Sequence, residues 1–324
     1  MTKEKFIRLV TEHVLEYLPE SYQEKEVEVT RRSKNNDIVL HGLTIRDGKE
    51  GTEAVPMLYL DDYYDSYRFG NKNMEDVVHQ IAEDYRKAER SIPSFDLPEM
   101  TREGIRDKIF VKLVNTRSNR DRLRDLASLP AEGGFSLTAY IDLGSTGQGA
   151  MIQITRDMAE RMDYPERELM QDAMQNTCSR HPAELVEMDK IMMDIAGLRK
   201  LSPGDNLLAE KPAPAESLSM LILTNADKFF GAAALFYPEV KQQIADVTGG
   251  SYYILPSSVH ELIILPDNGS FNEQELASMV QSVNSAEVQP EEQLGNKVLY
   301  YNAAMDRLMV AVDLDKEQTR GKER

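Results

Sequence analysis

Apolar residues recur along the chain with two different spacings. A spacing of three or four residues predicts helices, and alternation with polar residues predicts strands. Near the start, apolar residues recur every three or four positions, which predicts an amphipathic helix that ends near Pro19. Three shorter alternating runs follow, separated by turn-forming pairs at 35–36 and 47–48, and they predict a three-stranded meander. Asn73 is placed to cap a second helix, which ends before Pro93.

The rest of the chain mixes strand and helix patterns in quick succession. Apolar runs predict strands at 109–114, 220–223 and 231–236, and hairpins that join 135–142 to 151–154, 252–255 to 261–265, and 298–301 to 308–312. Helical spacing and helix-entry prolines predict helices around Leu123, from Pro165, from Pro182 to Gly197, and at 239–247 and 271–283. A proline-rich loop or linker is expected at 202–217.

These elements indicate an α+β protein. Strands that return through short turns must be antiparallel, because parallel neighbours need long crossover connections. We expect mainly antiparallel sheets with flanking helices, in two packed parts at 1–100 and 101–315. A disordered polar tail is expected at 316–324.

Composition narrows the class of protein. Of the 324 residues 41% are apolar, which is enough for a core, while a formal charge of −17 disfavours general binding to nucleic acid and to anionic membranes. Charges interrupt the first apolar stretch, and the longest apolar run, 229–237, is too short to cross a bilayer, so we expect no signal peptide and no membrane segment. The single cysteine, Cys178, rules out an intramolecular disulfide. Together these features predict a cytoplasmic protein.

Several segments resemble a known family. The segment 252–265, which contains Leu-Pro-Ser-Ser-Val-His-Glu, and Gly231-Ala232-Ala233 after Thr224-Asn225 are similar to those of an uncharacterised bacterial family, domain of unknown function 5688. Further pieces span nearly the whole chain: Leu60, Tyr63, Tyr67 and Gly70; Val114, Asn115 and Asn119; Ile154, Thr155, Leu169, Ala173, Asn176, Thr177 and Pro182. A second uncharacterised bacterial family shares the Leu-Pro-Ser-Ser-x-His-Glu segment. The resemblance implies a compact cytoplasmic bacterial protein and implies no mechanism.

A glycine-rich segment at 142–149 carries one candidate chemistry. It reads Asp-Leu-Gly-Ser-Thr-Gly-Gln-Gly between two predicted strands and is similar to the first phosphate loop of sugar kinases and actin-like ATPases. In such a loop the glycines let backbone N–H groups approach the phosphate closely. The side chains of Asp142, Ser145 and Thr146 would bind phosphate and Mg²⁺. A hairpin turn is the interpretation we favour, since no second phosphate loop accompanies the segment.

The most reactive-looking cluster is Ser257, Ser258, His260 and Glu261. A serine hydrolase needs its hydroxyl and imidazole in contact and a third group to orient the imidazole. Ser258 and His260 lie two apart on a predicted strand and do not easily point at one another, and the chain lacks a Gly-x-Ser-x-Gly turn. A capped turn before a core strand is therefore favoured.

Basic residues are concentrated at 102–124, a segment that contains eight basic and three acidic residues. Arg117, Arg120 and Arg124 fall at helical spacing and are candidates for binding an anion or an acidic partner. Pairing with acidic residues of the same chain is the alternative that we favour, because interspersed surface charges are ordinary.

Three other groups are expected to be structural. The acidic group Asp61, Asp62 and Asp65 predicts a solvated face rather than a cation site. The stripe of Leu185, Met188, Met192 and Ile195 predicts a buried helix face. Cys178, beside Arg180 and His181, is expected to be a buried, inert thiol.

No catalytic set passes these spacing tests. We therefore expect a non-catalytic interaction or accessory module with a protein partner, without a cofactor or a metal. The alternative is an enzyme or binding protein that acts on a phosphate-bearing ligand through the loop 142–149.

Overall fold

The structure, a computed structural model, describes residues 1–48, 55–70, 72–91, 98–144, 151–210 and 220–316. The chain divides into two compact units. Unit 1 comprises residues 1–34 and 38–95, and unit 2 comprises residues 35–37 and 96–324. Of the expected tail, residues 317–324 lie outside the described ranges, as do residues 211–217 of the expected loop.

Unit 1 is an antiparallel meander covered by helices. Its elements are α1 (Lys3–His13), β1 (Glu26–Ser33), β2 (Val39–Arg46), β3 (Leu58–Tyr59), α2 (Leu60–Phe69) and α3 (Met74–Arg90), and the strand order is β1-β2-β3. Thr2 caps α1, and the Asn73 side chain accepts the Asp76 N–H at 2.8 Å to cap α3. The apolar faces of the helices meet the sheet around Phe6, Ile81 and Tyr85.

Unit 2 contains a four-stranded sheet formed by β4 (Ile109–Asn115), β5 (Ser128–Ala131), β6 (Phe135–Asp142) and β7 (Met151–Gln153). β6 is central, with β4 on one side and both β5 and β7 on the other, and all pairs are antiparallel. Three helices belong to this part of the chain: α4 (Arg102–Ile105), α5 (Arg156–Arg161) and α6 (Glu166–Arg180).

A six-stranded antiparallel sheet completes unit 2, in the order β13-β12-β10-β11-β9-β8. Its strands are β8 (Ala183–Glu187), β9 (Leu221–Asn225), β10 (Tyr252–Leu255), β11 (Leu262–Pro266), β12 (Lys297–Asn302) and β13 (Arg307–Asp313). The accompanying helices are α7 (Met188–Ile195), α8 (Val240–Thr248) and α9 (Glu273–Ala286). The two sheets of unit 2 share one apolar core. The predicted α+β class with antiparallel sheets is confirmed.

Three predicted elements differ from the structure. Residues 183–187 form β8 rather than the first turn of a helix, because they pair along their whole length with β9. Residues Gly231–Phe236 form a 3-10 helix rather than a strand. Around Leu123 the helix is one 3-10 turn, Arg122–Arg124. In each case, pairing or packing between distant parts of the chain outweighs a short local pattern.

The face of α7 that was predicted to be buried is largely exposed. Leu185, the first residue of the stripe, is buried in β8. In contrast, Ile195 is 81% exposed and Met192 is 61% exposed. Leu198, just after the helix, is also 81% exposed. The strand that replaces the first helical turn accounts for the difference, because it breaks the helical phase between Leu185 and the later residues.

The outer edge of β5 is closed to further strands. The Ser128 N–H, which points away from β6, donates to Glu166 Oε1 at 2.8 Å. Pro130, two residues on, has no N–H to offer at the next outward position.

Within the described ranges, no helix has both the length and the apolar composition needed to cross a membrane.

Candidate functional site

Several polar side chains lie next to one another on one face of the four-stranded sheet. Lys112 on β4 pairs with Thr138 on β6, so their side chains project from the same face. Gln153 on β7 pairs with Tyr140, two residues from Thr138, and lies on that face too. We call the group Lys112, Arg122, Thr138 and Gln153 the basic face.

The chain holds Arg122 in place through its backbone. The carboxylate of Asp37 accepts the N–H groups of Asp121 and Arg122, at 3.1 and 3.3 Å. Before this turn, the buried Asn119 donates to the Asn115 carbonyl at 2.9 Å and accepts the Asn36 N–H at 2.8 Å. These contacts fix the direction in which the Arg122 side chain leaves the backbone.

Arg122 is half-buried and has a neutral partner. Its guanidinium donates to Gln153 Oε1 at 2.5 Å, and Gln153 Nε2 donates in turn to Thr138 Oγ1 at 3.3 Å. No carboxylate in the described ranges forms an ion pair with it. Burial lowers the pKa of Arg122, and the charge of Asp37 opposes this. A half-buried guanidinium whose side chain bonds to a neutral amide is unusual, since charges removed from water are normally in direct ion pairs.

An aromatic group adjoins the basic face through Phe230. Lys112 Nζ lies 4.3 Å from the centroid of the Phe230 ring, within the range of a cation–π contact. Phe230 also packs against Tyr140 at 5.3 Å, stacks on His260 at 5.5 Å and contacts Phe229 at 4.1 Å, centroid to centroid. The cation of Lys112 and the imidazole of His260 therefore share one aromatic neighbour.

Both nitrogens of the His260 ring have partners. Nδ1 accepts the Phe230 N–H at 3.3 Å, which leaves the ring proton on Nε2, and Nε2 faces Glu292 Oε1 at 3.4 Å. Burial lowers the pKa of His260, Glu292 opposes this and Lys112 reinforces it. The imidazole is therefore neutral near pH 7, and neither nitrogen is free to act as a base.

The contacts of the candidate serines do not involve this imidazole. Ser258 Oγ accepts the main-chain N–H of His260 at 3.0 Å, as in a capped turn. Ser257 instead lies in a small cavity lined by Leu255, Ile263 and Met279. Glu261 is exposed, and the carboxylate beside the imidazole is that of Glu292. The hydroxyl–imidazole contact that a serine hydrolase requires is therefore not formed between Ser258 and His260.

The model of the family of unknown function DUF5688 matches residues 3–303. The chain belongs to this family. The resemblance seen in the sequence is therefore confirmed, and it extends over both units. No curated protein and no solved structure matches the chain.

The glycine-rich loop of this DUF5688 protein is described only at its start. Asp142, the last residue of β6, accepts the Gly144 N–H at 2.9 Å, which is typical of a tight turn. Asp142 lies close enough to Tyr140 for its charge to raise the pKa of that phenol, after the larger effect of burial. Ser145 and Thr146 lie outside the described residues.

The three predicted arginines do not form one helix face. Only residues 122–124 are helical here, and Arg117 and Arg120 precede them in a turn. Arg117, Arg120 and Arg124 are all exposed, and Arg124 pairs with Asp121 at 3.1 Å. The arginine that the DUF5688 protein brings onto the sheet is Arg122. Sequence spacing missed it, because the three arginines were matched to a helix that does not form.

The remaining candidates lie apart from the basic face. His181 hydrogen-bonds Asp227 through Nδ1, and its ring lies 4.7 Å from that of Phe110. Cys178 lines an apolar groove of about 460 Å³ with Met170 and Met174, and burial raises the pKa of its thiol. Within the described ranges, no three histidine, cysteine or acidic side chains are grouped as a metal site would require.

Asp61 differs from the solvated residue that was expected. It is buried in unit 1, where Oδ1 accepts Lys3 Nζ at 2.9 Å and Oδ2 accepts the His41 N–H at 2.6 Å. Burial alone would raise the pKa of Asp61, but the hydrogen bonds from His41 and Lys3 outweigh it and the pKa is lowered. Asp61 therefore joins α1, α2 and β2 within unit 1.

Proposed function

We propose that this DUF5688 protein is a non-catalytic cytoplasmic module that binds a phosphate-bearing ligand on the basic face. The observation that carries the proposal is Arg122, a half-buried guanidinium whose side chain bonds to an amide oxygen. A guanidinium offers several N–H donors in a planar fork that matches phosphate oxygens. Removing such a group from water is unfavourable unless an anion compensates for it, and a ligand phosphate would do so.

The neighbours of Arg122 suit the same ligand. Lys112 supplies a second positive charge on the same face, and Gln153 supplies a neutral hydrogen-bonding group beside Arg122. Thr138 is fully buried and holds Gln153 by accepting its Nε2 hydrogen bond. Lys112, Arg122 and Gln153 each keep part of their surface exposed, so a ligand can reach them from solvent. In a protein of charge −17, this face provides a local site for an anion and no general affinity for polyanions.

The geometry around His260 supports a binding role rather than a catalytic one. The imidazole has both nitrogens engaged, and the adjacent serine hydroxyl accepts a main-chain N–H instead of contacting the ring. General base catalysis needs a free ring nitrogen within hydrogen-bond reach of the proton that it removes. The cytoplasmic part of the proposal is supported by the single cysteine.

Calorimetric titration with inorganic phosphate and pyrophosphate tests the proposal. We expect both anions to bind the wild-type protein, and Arg122→Gln to weaken binding at least tenfold. Arg124→Gln is the matched control, because Arg124 lies two residues away and is exposed and paired with Asp121. Affinity should also fall with added salt. Absence of binding to the wild type, or equal losses in the two variants, would refute the proposal.

A protein partner is the second candidate, and the exposed apolar residues at the end of α7 and just after it favour it. Ile195 and Leu198 are both 81% exposed, and the acidic Asp189 and Asp194 lie on the same helix. Apolar side chains next to acidic ones suit a basic amphipathic helix of a partner protein. A partner retained by the wild type should be lost with Ile195→Asp and in high salt. It should be kept with Met305→Asp, which changes an apolar residue that is 70% exposed elsewhere.

A further inference from the structure

An aromatic side chain projects into solvent next to the basic face. Phe229 is 37% exposed, although its ring contacts both Phe230 and the imidazole of His260, at centroid distances of 4.1 and 5.3 Å. A phenylalanine that only filled the core would be covered, as Phe230 is. The exposed part of Phe229 therefore offers an aromatic surface to solvent, and the His260 ring, inclined to it by 46°, borders that surface.

The loop that carries Phe229 is held rigidly. Asn225, which is buried, donates from Nδ2 to the Phe229 carbonyl at 2.9 Å and accepts the Phe229 N–H at 3.2 Å. Lys228 and Phe230, on either side, have left-handed backbone angles of φ 55° and 53°. Such angles are unfavourable for residues with a side chain and persist where the surroundings enforce them, often at ligand sites.

We propose that Phe229 and His260 form a stacking platform for the base of a nucleotide whose phosphate occupies the basic face. Phe230 links the two parts, because it contacts Phe229, His260 and the ammonium group of Lys112. A ligand with a planar ring and a phosphate would meet the platform and Lys112 at the same time. Every nucleobase has a flat face that stacks on aromatic side chains.

The platform indicates that the phosphate-bearing ligand is a nucleotide, and this inference rests on the proposed function. A phosphate without a ring would use Arg122 and Lys112 alone, whereas a nucleoside without a phosphate would use Phe229 and His260 alone. The two halves of the site can therefore be tested separately with inorganic phosphate, adenosine and adenosine monophosphate.

The Phe229→Trp variant provides a direct optical readout. The chain contains no tryptophan, so the introduced indole is its only one, and it keeps a flat ring at the same position. We expect adenosine monophosphate to quench the indole fluorescence and to bind this variant at least as tightly as the wild type. Phe229→Ala should weaken binding of the nucleotide about tenfold and leave inorganic phosphate unaffected. Phe69→Ala, which removes an exposed ring in unit 1, is the control.

The outcomes separate the two proposals. Phosphate binding that depends on Arg122, with a nucleotide that binds no tighter than phosphate and leaves the indole unquenched, would overturn the platform and keep the anion site. Quenching by adenosine without any phosphate binding would keep the platform and overturn the anion site. If neither ligand binds, both proposals are wrong. Nucleotide binding that Phe229→Ala weakens and Phe229→Trp retains supports the platform.

Discussion

The hydroxyl of Tyr85 makes two hydrogen bonds to one residue of the neighbouring strand: it accepts the Ile45 N–H at 2.9 Å and donates to the Ile45 carbonyl at 2.8 Å. Both residues are buried. Among the described residues β3 pairs with β2 only at Gly42 and Leu43, so none of them forms a strand beside Ile45 on the side of β2 that faces away from β1. A helix side chain thus completes the edge of the sheet.

Tyr85→Phe should destabilise the protein by about 1–3 kcal/mol, because it leaves a buried backbone donor and acceptor unpaired. Urea denaturation followed by circular dichroism measures the free energy of unfolding. Tyr67→Phe is the control, since Tyr67 is only partly buried and its hydroxyl forms no hydrogen bond among the described residues. Similar values for the two variants would contradict the role assigned to Tyr85.

Asp61→Asn should lower the free energy of unfolding at pH 7 by about 2 kcal/mol, the order expected for hydrogen bonds to a charged group. The pKa of Asp61 is lowered in the folded state, so its contribution is present above the ordinary value of 3.8 and is lost as the pH falls below it. The difference between wild type and variant should therefore shrink towards pH 3. Asp65→Asn, at an exposed position of the same helix, gives the reference, and a gap that stays constant with pH would argue against this account.

Lys297 is a buried lysine that should make stability rise with alkaline pH. Its Nζ donates to the carbonyls of Gly133 and Gly134, at 2.8 and 3.3 Å, and lies 3.6 Å from the centroid of the Phe135 ring. Burial lowers the pKa of Lys297 from 10.5 to about 8. Between these two values the unfolded chain binds more protons than the folded one, so the free energy of unfolding increases with pH.

The comparison with Lys297→Met isolates this effect. From pH 8 to pH 10.5 the free energy of unfolding of the wild type should rise by up to about 3 kcal/mol relative to that of the variant. This is the energy equivalent of the whole shift in the pKa of Lys297. Denaturation curves at half-unit pH intervals measure it, and Lys200→Met, which removes an exposed lysine, is the control. Parallel curves for wild type and Lys297→Met would show that the ammonium group is not disfavoured in the fold.

Gly231→Ala should destabilise the loop that carries Phe229. A Cβ at this position would lie 2.6 Å from both the Asn225 nitrogen and the His260 carbonyl oxygen, too close for backbone atoms that cannot move independently. We expect a loss of about 1–3 kcal/mol, typical of overpacking. Gly204→Ala serves as the comparison, because a Cβ there meets nothing closer than 3.9 Å. Equal melting temperatures of the two variants would contradict the close approach.

The sequence patterns predicted most elements, because hydrophobic period and turn residues are local. The hairpin of β10 and β11 and the helix capped by Asn73 appear where the patterns placed them. The pattern from Pro182 was wrong, since pairing with β9 decides the conformation of 183–187 and lies beyond the reach of a local pattern. A strand followed at once by a helix can imitate a continuous helical stripe.

The candidate site was only partly visible in the sequence. His260 and Asp142 were singled out, and both lie beside the aromatic group that borders the basic face. Arg122 could not be distinguished from its exposed neighbours, because what distinguishes it is a contact with Gln153, thirty-one positions away. Asp61 likewise reads as one of several surface acids until Lys3 and His41 are brought to it by the fold.

The closed edge of β5 has a consequence for how this protein behaves at high concentration. Open sheet edges recruit strands from other molecules and seed fibrils. Here one outward donor is occupied by Glu166 and the next is missing at Pro130. Protection of this edge against added strands therefore depends on a carboxylate that lies thirty-eight positions away in the sequence, together with a proline of the strand itself.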